Sequence, residues 1–300
     1  MSSSCVRGDQ EKIQVPLSYL PSGKKVYFRE SSFFTRHSIA KLPSPAQIRS
    51  LQTYSYAGYP PVIRFPEIGV LVKYGRLINV SEGQCLWMIR HFLKESVPVP
   101  ELYGWIVDGG ETFIYMELLD GDTLEERWSS LSHTDRVYLC QELRDMVTSL
   151  RRLEQLPNER FIGPVGLQPL DDVTFSGIRE GPWPSVKGFN DWFSGIMSRR
   201  FNVTYDDPFR AGLSDNVPIY FTHGDLHPSN ILVTQKASPR ILALVDFHQS
   251  AWMPAYWEYC KALLTAAVRE EWEMVCIPMF LEPYPECFKS YEFYANSLGC

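Results

Sequence analysis

A mixed α+β fold in two lobes, a small sheet-rich one followed by a larger helical one, is what this 300-residue sequence predicts. Three observations carry that prediction. Between residues 60 and 118, short β-patterned segments flank a single helix; after "DGD" at 120–122 the pattern turns helical; and a strongly polar loop, "THGDLHPSN" at 222–230, is set between the apolar runs "VPIYF" and "ILV". The lobe boundary falls between 118 and 119, giving residues 1–118 to the small lobe and 119–300 to the helical one.

Short runs rich in β-branched and aromatic residues, bounded by turn formers, read as strands. That places strands at "PVIRF", "VLVKYG", "ELYGWIV" and "FIYMELL". Between the second and third, "SEGQCLWMIRHFLKES" sets Leu86, Ile89, Arg90 and Leu93 at spacings of three and four, with Ser81 as cap and "PVP" as stop, so it reads as a helix. The first forty residues carry little pattern. "SPAQIRSL" at 44–51 starts like a helix, since proline is tolerated in a first turn. Downstream, "TLEERW" and the long "LSHTDRVYLCQELRDMVTSLRRLEQL" read as helices. Residues 157–216 are rich in Gly, Pro and aromatics, with one short helical pattern near 188–199. That texture suits an irregular insertion wrapped about a binding site.

Charged residues at 21% and aromatics at 14% describe a globular chain without disorder bias, long enough to bury a sizeable core. A net charge of -6 argues against a nucleic-acid backbone as partner, because such binders carry a clustered basic face. It tolerates a cationic small molecule. The seven cysteines include no C-x-x-C pair, so neither a disulfide framework nor a zinc site is suggested, and Cys85, Cys140 and Cys260 read as buried thiols. No signal-like apolar run opens the chain and no 18-residue apolar stretch follows. A soluble, cytoplasmic protein with no membrane partner is expected.

The polar loop carries the chemistry. Asp225 and Asn230 are five apart, and 16 residues beyond Asn230 the apolar strand "ILALVDFH" brings in Asp246. Kinase-like enzymes place their groups this way: the first Asp faces the attacking hydroxyl, while the Asn and the second Asp hold metal ions on the nucleotide phosphates. Upstream, Lys73 lies on "VLVKYG", where its ammonium reaches the α- and β-phosphates, and Glu82 begins the next helix, where it orients that lysine. "YMELLDG", with Glu117 and Leu119, suits the strand and connector whose backbone hydrogen-bonds an adenine. Each feature alone has a plainer reading: a polar turn, a strand-edge lysine, a glutamate favoured by a helix dipole. Their order along the chain makes the functional reading the stronger one.

Other readings stay open. His223 and His227 with Asp225 or His248 form a candidate metal-ligand set for a hydrolase, although this explains fewer residues and His223 reads better as support for the loop backbone. Trp183, Trp192, Trp252 and Trp257 read as packing residues, with an aromatic cage for a cationic head group as the alternative.

In these motifs, and in "HGDLHPSNILV", "VKYG", "PVPELYGW", "YMELLDGDTLEERW" and "PAYWEYCKA", the chain resembles the aminoglycoside phosphotransferase and choline kinase group of small-molecule kinases, its fungal-type members above all. The resemblance runs from about residue 60 to 285. It implies a protein-kinase-like fold, ATP and Mg2+ as cofactors, Asp225 as catalytic base, Asn230 and Asp246 as magnesium ligands, and Lys73 with Glu82 as the phosphate clamp. The implied acceptor is a small-molecule hydroxyl seated between the Asp225 loop, the insertion and the C-terminal helices; Asp191 and Glu258 are candidate counter-charges for an amine-bearing one. Two departures stand out. No G-x-G-x-x-G precedes Lys73, only "YAGYPP" and "PEIG", and "VDFHQSAW" puts His248 where this family more often has an acid. Less negative charge beside the metals motivates an alternative, a catalytically silent nucleotide- or ligand-binding module. A protein kinase is disfavoured, because "AWMPAYWEY" follows Asp246 at once and leaves no "APE"-type activation segment.

Overall fold

The computed structural model describes residues 11–36, 41–51, 62–204, 206–266 and 270–299, and its chain crosses between two lobes twice. The first strand, β1 (Ile13–Val15), belongs to the C-terminal lobe, whereas β2 (Lys25–Tyr27) forms an edge of the N-terminal sheet. Next come α1 (Ser32–Arg36), α2 (Pro45–Ser50), β3 (Val62–Phe65), β4 (Val70–Gly75), α3 (Val80–Leu93), β5 (Leu102–Asp108) and β6 (Glu111–Glu117). Five strands run in the order β2-β5-β6-β4-β3, all neighbours antiparallel. Successive side chains of a strand point to opposite faces. Val70, Val72 and Tyr74 therefore enter a core with Phe33, Phe113 and Tyr115, while Leu71 and Lys73 face a cleft.

Local chemistry accounts for the helix starts. Ser44 and Gln47 form a reciprocal capping box on α2. At α3 the cap is Asn79, whose side chain accepts from the Ser81 amide at 3.1 Å. Ser81, expected as the cap, is buried inside the first turn. "YAGYPP" lies outside the described residues. "PEIG" forms a short 3-10 turn between β3 and β4 that ends on Gly69 at φ 64.

The larger lobe contains β7 (Asp122–Thr123), α4 (Leu124–Arg127), α5 (His133–Leu150), β8 (Leu153–Gln155), α6 (Val186–Ser194), α7 (Ile196–Phe201), β9 (Ile219–Thr222), β10 (Ile231–Val233), β11 (Ile241–Leu244), β12 (Ala251–Pro254), α8 (Trp257–Thr265), α9 (Ile277–Phe280) and α10 (Pro285–Leu298). β10 lies between β11 and β7, and β12 pairs with β9. The helix expected to run to 156 stops at Leu150, because residues 153–155 leave it to pair in parallel with β1. A three-residue pairing with so distant a partner leaves no local signal.

From β1 the chain climbs over α3 to β2: the Pro21 carbonyl accepts from Gln84 Nε2 at 2.9 Å and the Gly23 carbonyl from Trp105 Nε1 at 2.9 Å. The insertion also touches both lobes, with Arg179 donating to the Leu77 carbonyl at 3.5 Å. Trp183, Trp192 and Trp257 pack with Phe175, Phe189 and Phe193, the closest pair of rings 4.5 Å apart, and Trp252 is buried against Phe221. These tryptophans are core residues and enclose no cage. Cys85, Cys140 and Cys260 are buried and unbridged. Among the described residues no helix is long and apolar enough to cross a membrane.

Candidate active site

A cavity of about 770 Å³ opens between the lobes, lined by Gly69, Leu71, Lys73, Met116, Asn230 and Asp246 among others, with the connector from Glu117 to Asp122 along one side. That volume suits a nucleotide-sized ligand. Glu117 and Leu119 both line it, and the turn before β4 is tied to the connector where the Leu118 amide donates to the Gly69 carbonyl at 3.0 Å.

Lys73 projects from β4 into this space and is 6% exposed. Its ammonium lies 3.0 Å from Glu82 Oε1, in the first turn of α3, and 2.6 Å from Asp246 Oδ1. Burial works against the charged amine, but the Glu82 and Asp246 carboxylates prevail and hold Lys73 above its ordinary pKa. Burial likewise opposes the Asp246 carboxylate; His248 and Lys73 overcome it and hold that group well below its ordinary range. His248 Nδ1 is 3.7 Å from Asp246 Oδ1. Asp246 itself sits at φ 65, a left-handed conformation rare outside glycine, and its side chain remains 40% exposed toward the cavity.

The Asp225 loop follows β9 and is fixed from beneath. Glu258 of α8 accepts from the His223 amide at 2.6 Å and the Gly224 amide at 3.0 Å. His223 Nε2 donates to the Val245 carbonyl at 2.9 Å, which leaves Nδ1 to accept from the Asp225 amide at 3.2 Å. Both ring nitrogens are thus engaged by backbone groups, one in the loop and one in the segment leading to Asp246, and burial lowers the imidazole pKa. Gly224 is required here: its φ is 79, and a Cβ would lie 2.5 Å from the Gln249 carbonyl. Asn230 Nδ2 donates to both the backbone oxygen and Oδ2 of Asp225, each at 2.9 Å, so its amide oxygen is directed away from Asp225. His227 caps the short turn Pro228–Asn230 through Nδ1.

Lys73, Glu82, Asn230 and Asp246 therefore converge on one cavity, and Asp225 stands just outside its lining, bonded to Asn230. Two expected counter-charges do not join them. Glu258 is 4% exposed and committed to the loop amides, and Asp191 is paired with Lys187 and Arg210. Among the described residues there is no group of three or more His, Cys, Asp or Glu side chains arranged to hold a metal, so the hydrolase arrangement of His223 and His227 with Asp225 or His248 is not formed.

Three residues escaped the sequence reading. Lys261, one turn beyond Glu258, is 2% exposed and lies 2.7 Å from Asp172 Oδ1 and 2.6 Å from Gln249 Oε1. Asp172 also caps the turn Val173–Phe175, and Gln249 accepts from the Val173 amide. Lys261 thus ties the insertion to the loop that carries Asp246. The pair of ionic residues three apart in "WEYCKA" was the available signal, since buried charges on an apolar helix need partners.

Comparison with known proteins adds two findings. The profile of the phosphotransferase enzyme family matches residues 87–291. Among solved structures, APH(2")-IIa in its ternary complex with streptomycin and ATP superposes with a TM-score of 0.50 at 12% identity, covering 86% of this chain and 87% of that one. Aminoglycoside phosphotransferase APH(4)-Ia bound to ADP and hygromycin B gives a TM-score of 0.47 at 14% identity, over 75% and 76% of the two chains. No curated protein matches the sequence. At such identities the likeness is one of fold, a two-lobed protein-kinase-like α+β architecture.

Proposed function

The chain belongs to the phosphotransferase enzyme family, and from that premise we propose that it moves the γ-phosphoryl group of ATP onto a hydroxyl of a small molecule. The observation that carries this reading is the convergence of Lys73, Glu82, Asn230 and Asp246 on one cavity beside Asp225. The small lobe, from β2 to β6, acts as the nucleotide clamp, and the larger lobe, to which β1 also belongs although the boundary at 118 had put it in the small one, presents the catalytic loop and receives the acceptor. Glu117 and Leu119 border the adenine end through their backbone. Lys73 neutralises phosphate charge, and Glu82 keeps its ammonium aimed. Asp225 orients the acceptor hydroxyl and takes its proton as the oxygen attacks.

The donor set fits Mg2+. Asn230 directs its amide oxygen away from Asp225, and Asp246 keeps a partly exposed carboxylate at the cavity; two hard oxygen donors completed by phosphates and water are a common magnesium arrangement. When bound, the ion would offset the charge that builds on the phosphates. The residues supply the rest: little covalent chemistry is needed, so alignment of the hydroxyl and charge neutralisation carry the rate. His248 favours a second reading, a nucleotide-binding module without turnover, because it puts an imidazole 3.7 Å from Asp246 where the resemblance implies an acid.

One experiment separates the two. ATP consumption by the full chain is measured over a panel of hydroxylated small molecules, alone and as Asp225→Asn. The substitution keeps the loop's shape and removes the proton acceptor, so turnover falls by roughly 10² to 10⁴ while nucleotide affinity holds. Unchanged turnover would exclude Asp225 as base, and no turnover with any acceptor would favour the silent module.

A further inference from the structure

Resting on the phosphotransfer reading above, we propose that Lys261 is a positioning residue: it holds the insertion and the Asp246 turn in one register, so that occupation of the nucleotide site is felt in the insertion. Its ammonium is shared between two segments. Asp172 Oδ1 lies 2.7 Å away and Gln249 Oε1 2.6 Å away. Both acceptors are tied further. Asp172 Oδ1 also receives the Thr174 amide at 2.9 Å, and Oδ2 the Trp257 indole N–H at 3.3 Å; Gln249 Oε1 also receives the Val173 amide at 3.1 Å. The insertion, the Asp246 turn and α8 thus close into one buried network.

One arm of the network ends at the chemistry. Gln249 closes the turn Phe247–Gln249, whose cap is Asp246, and its carbonyl faces Gly224 so closely that a Cβ there would lie 2.5 Å away. The next residue, Ser250, donates to the His223 carbonyl at 2.6 Å. Residues three apart on a helix share a side, so α8 holds both loops at once: Glu258 the His223 and Gly224 amides, Lys261 the turn after Asp246. The other arm runs into the insertion. There Leu170 is bridged to Glu180 and Asp171 is paired with Arg179, which reaches the Leu77 carbonyl of the small lobe. Residues 170–180 lie outside the lining of the cavity between the lobes, so a response of theirs to nucleotide has to travel through the protein.

Stability alone does not call for this arrangement. Two buried charges are costly to desolvate, and well-packed apolar side chains of similar volume often serve stability as well or better. Apolar packing does not supply direction. An ammonium bonded to a carboxylate and an amide oxygen fixes where the two segments stand relative to each other.

The test is hydrogen exchange of the full chain, with Mg2+ and ATP as the probes. Coupling between two places in a protein is reciprocal and is measurable from either. Mg-ATP is expected to slow exchange of the amides in 170–180 by roughly two- to thirtyfold, beyond any slowing in α7 elsewhere in the insertion. Lys261→Met with Asp172→Asn removes both charges together and keeps an oxygen for the Thr174 amide; it should bind Mg-ATP and lose that slowing. Gln249→Leu cuts only the arm to the Asp246 turn and leaves the ion pair, so it should lose the slowing too, and it decides the matter where the double variant does not fold. Slowing retained in either folded variant, or absent from an unsubstituted chain that binds Mg-ATP, would make Lys261 a packing residue and overturn the proposal. Failure of the unsubstituted chain to bind Mg-ATP would instead remove the phosphotransfer reading, and the proposal with it.

Discussion

Lys73 of β4 and Asp246 of the loop after β11 meet at 2.6 Å although 173 positions separate them, one in each lobe. Because the same ammonium also binds Glu82, one charge holds the sheet, α3 and the Asp246 loop at a common point. Removing one member of a buried ion pair strands its partner and costs about 3–5 kcal/mol, whereas replacing both by apolar residues is close to neutral. Lys73→Met is therefore expected to lower stability by roughly 3 kcal/mol and to weaken ATP binding. The double variant Lys73→Met with Glu82→Leu should regain most of the stability and none of the affinity. Urea unfolding and nucleotide titration check this; recovery of both together would show that Lys73 does not touch the nucleotide.

Mg-ATP at a hundred times its dissociation constant should stabilise the fold by about 2.7 kcal/mol. The shift in melting temperature should require magnesium and vanish in Asp246→Ala. Equal shifts with and without the metal would remove Asp246 and Asn230 from metal binding.

Glu258 gives a pH signature. Burial raises its pKa to about 7 against the downward pull of the His223 and Gly224 amides, from an ordinary value of 4.5. The folded chain thus binds more proton than the unfolded one between those values. The stability this group contributes is full below 4.5 and is lost as pH rises through 7, a change on the order of 3 kcal/mol. Denaturant unfolding at pH 5 and pH 7.5 should show a fall in the native protein that is smaller in Glu258→Gln. Identical pH responses would mean that Glu258 is ionised normally in the fold.

His248 Nδ1 stands 3.7 Å from Asp246 Oδ1. His248→Glu adds a negative charge beside the metal donors. At fixed pH 8 the magnesium needed for half-maximal nucleotide stabilisation should drop roughly tenfold, the effect of one partly screened charge. No change would place the side chain away from the ion.

The site was legible where spacing fixes geometry. Asp225, Asn230 and Asp246 are separated by a tight loop and one hairpin, and Lys73 and Glu82 by one turn, so each group is local in sequence, whereas the meeting of the two groups through Lys73 and Asp246 spans 173 positions. Short-range pattern failed where a partner is remote. Nothing in "WEYCKA" says that Glu258 meets backbone amides 34 and 35 positions earlier, so its charge was read as available to a ligand. Asp191 has one partner within the local helical pattern, Lys187, and a second beyond it, Arg210. At α3 the miss was small: Asn79 and Ser81 are both good caps, and only the backbone decides between them. β1 and β2 were invisible because three-residue strands draw their stability from partners and carry no periodicity of their own.

The pairing of β1 with β8 bears on how the protein is made. A ribosome delivers the N terminus first, and the five strands of the small sheet have all emerged once β6 is out. β1 then has no partner until Gln155 follows, so the small lobe can form while its leading segment still hangs loose. Only when β8 appears does that segment find its seat and draw residues 16–24 across α3, where Pro21 and Gly23 receive Gln84 and Trp105. The segment from β1 to β2 is thus fastened only once β8 has emerged, and the helix bearing Glu82 receives its outer brace with it.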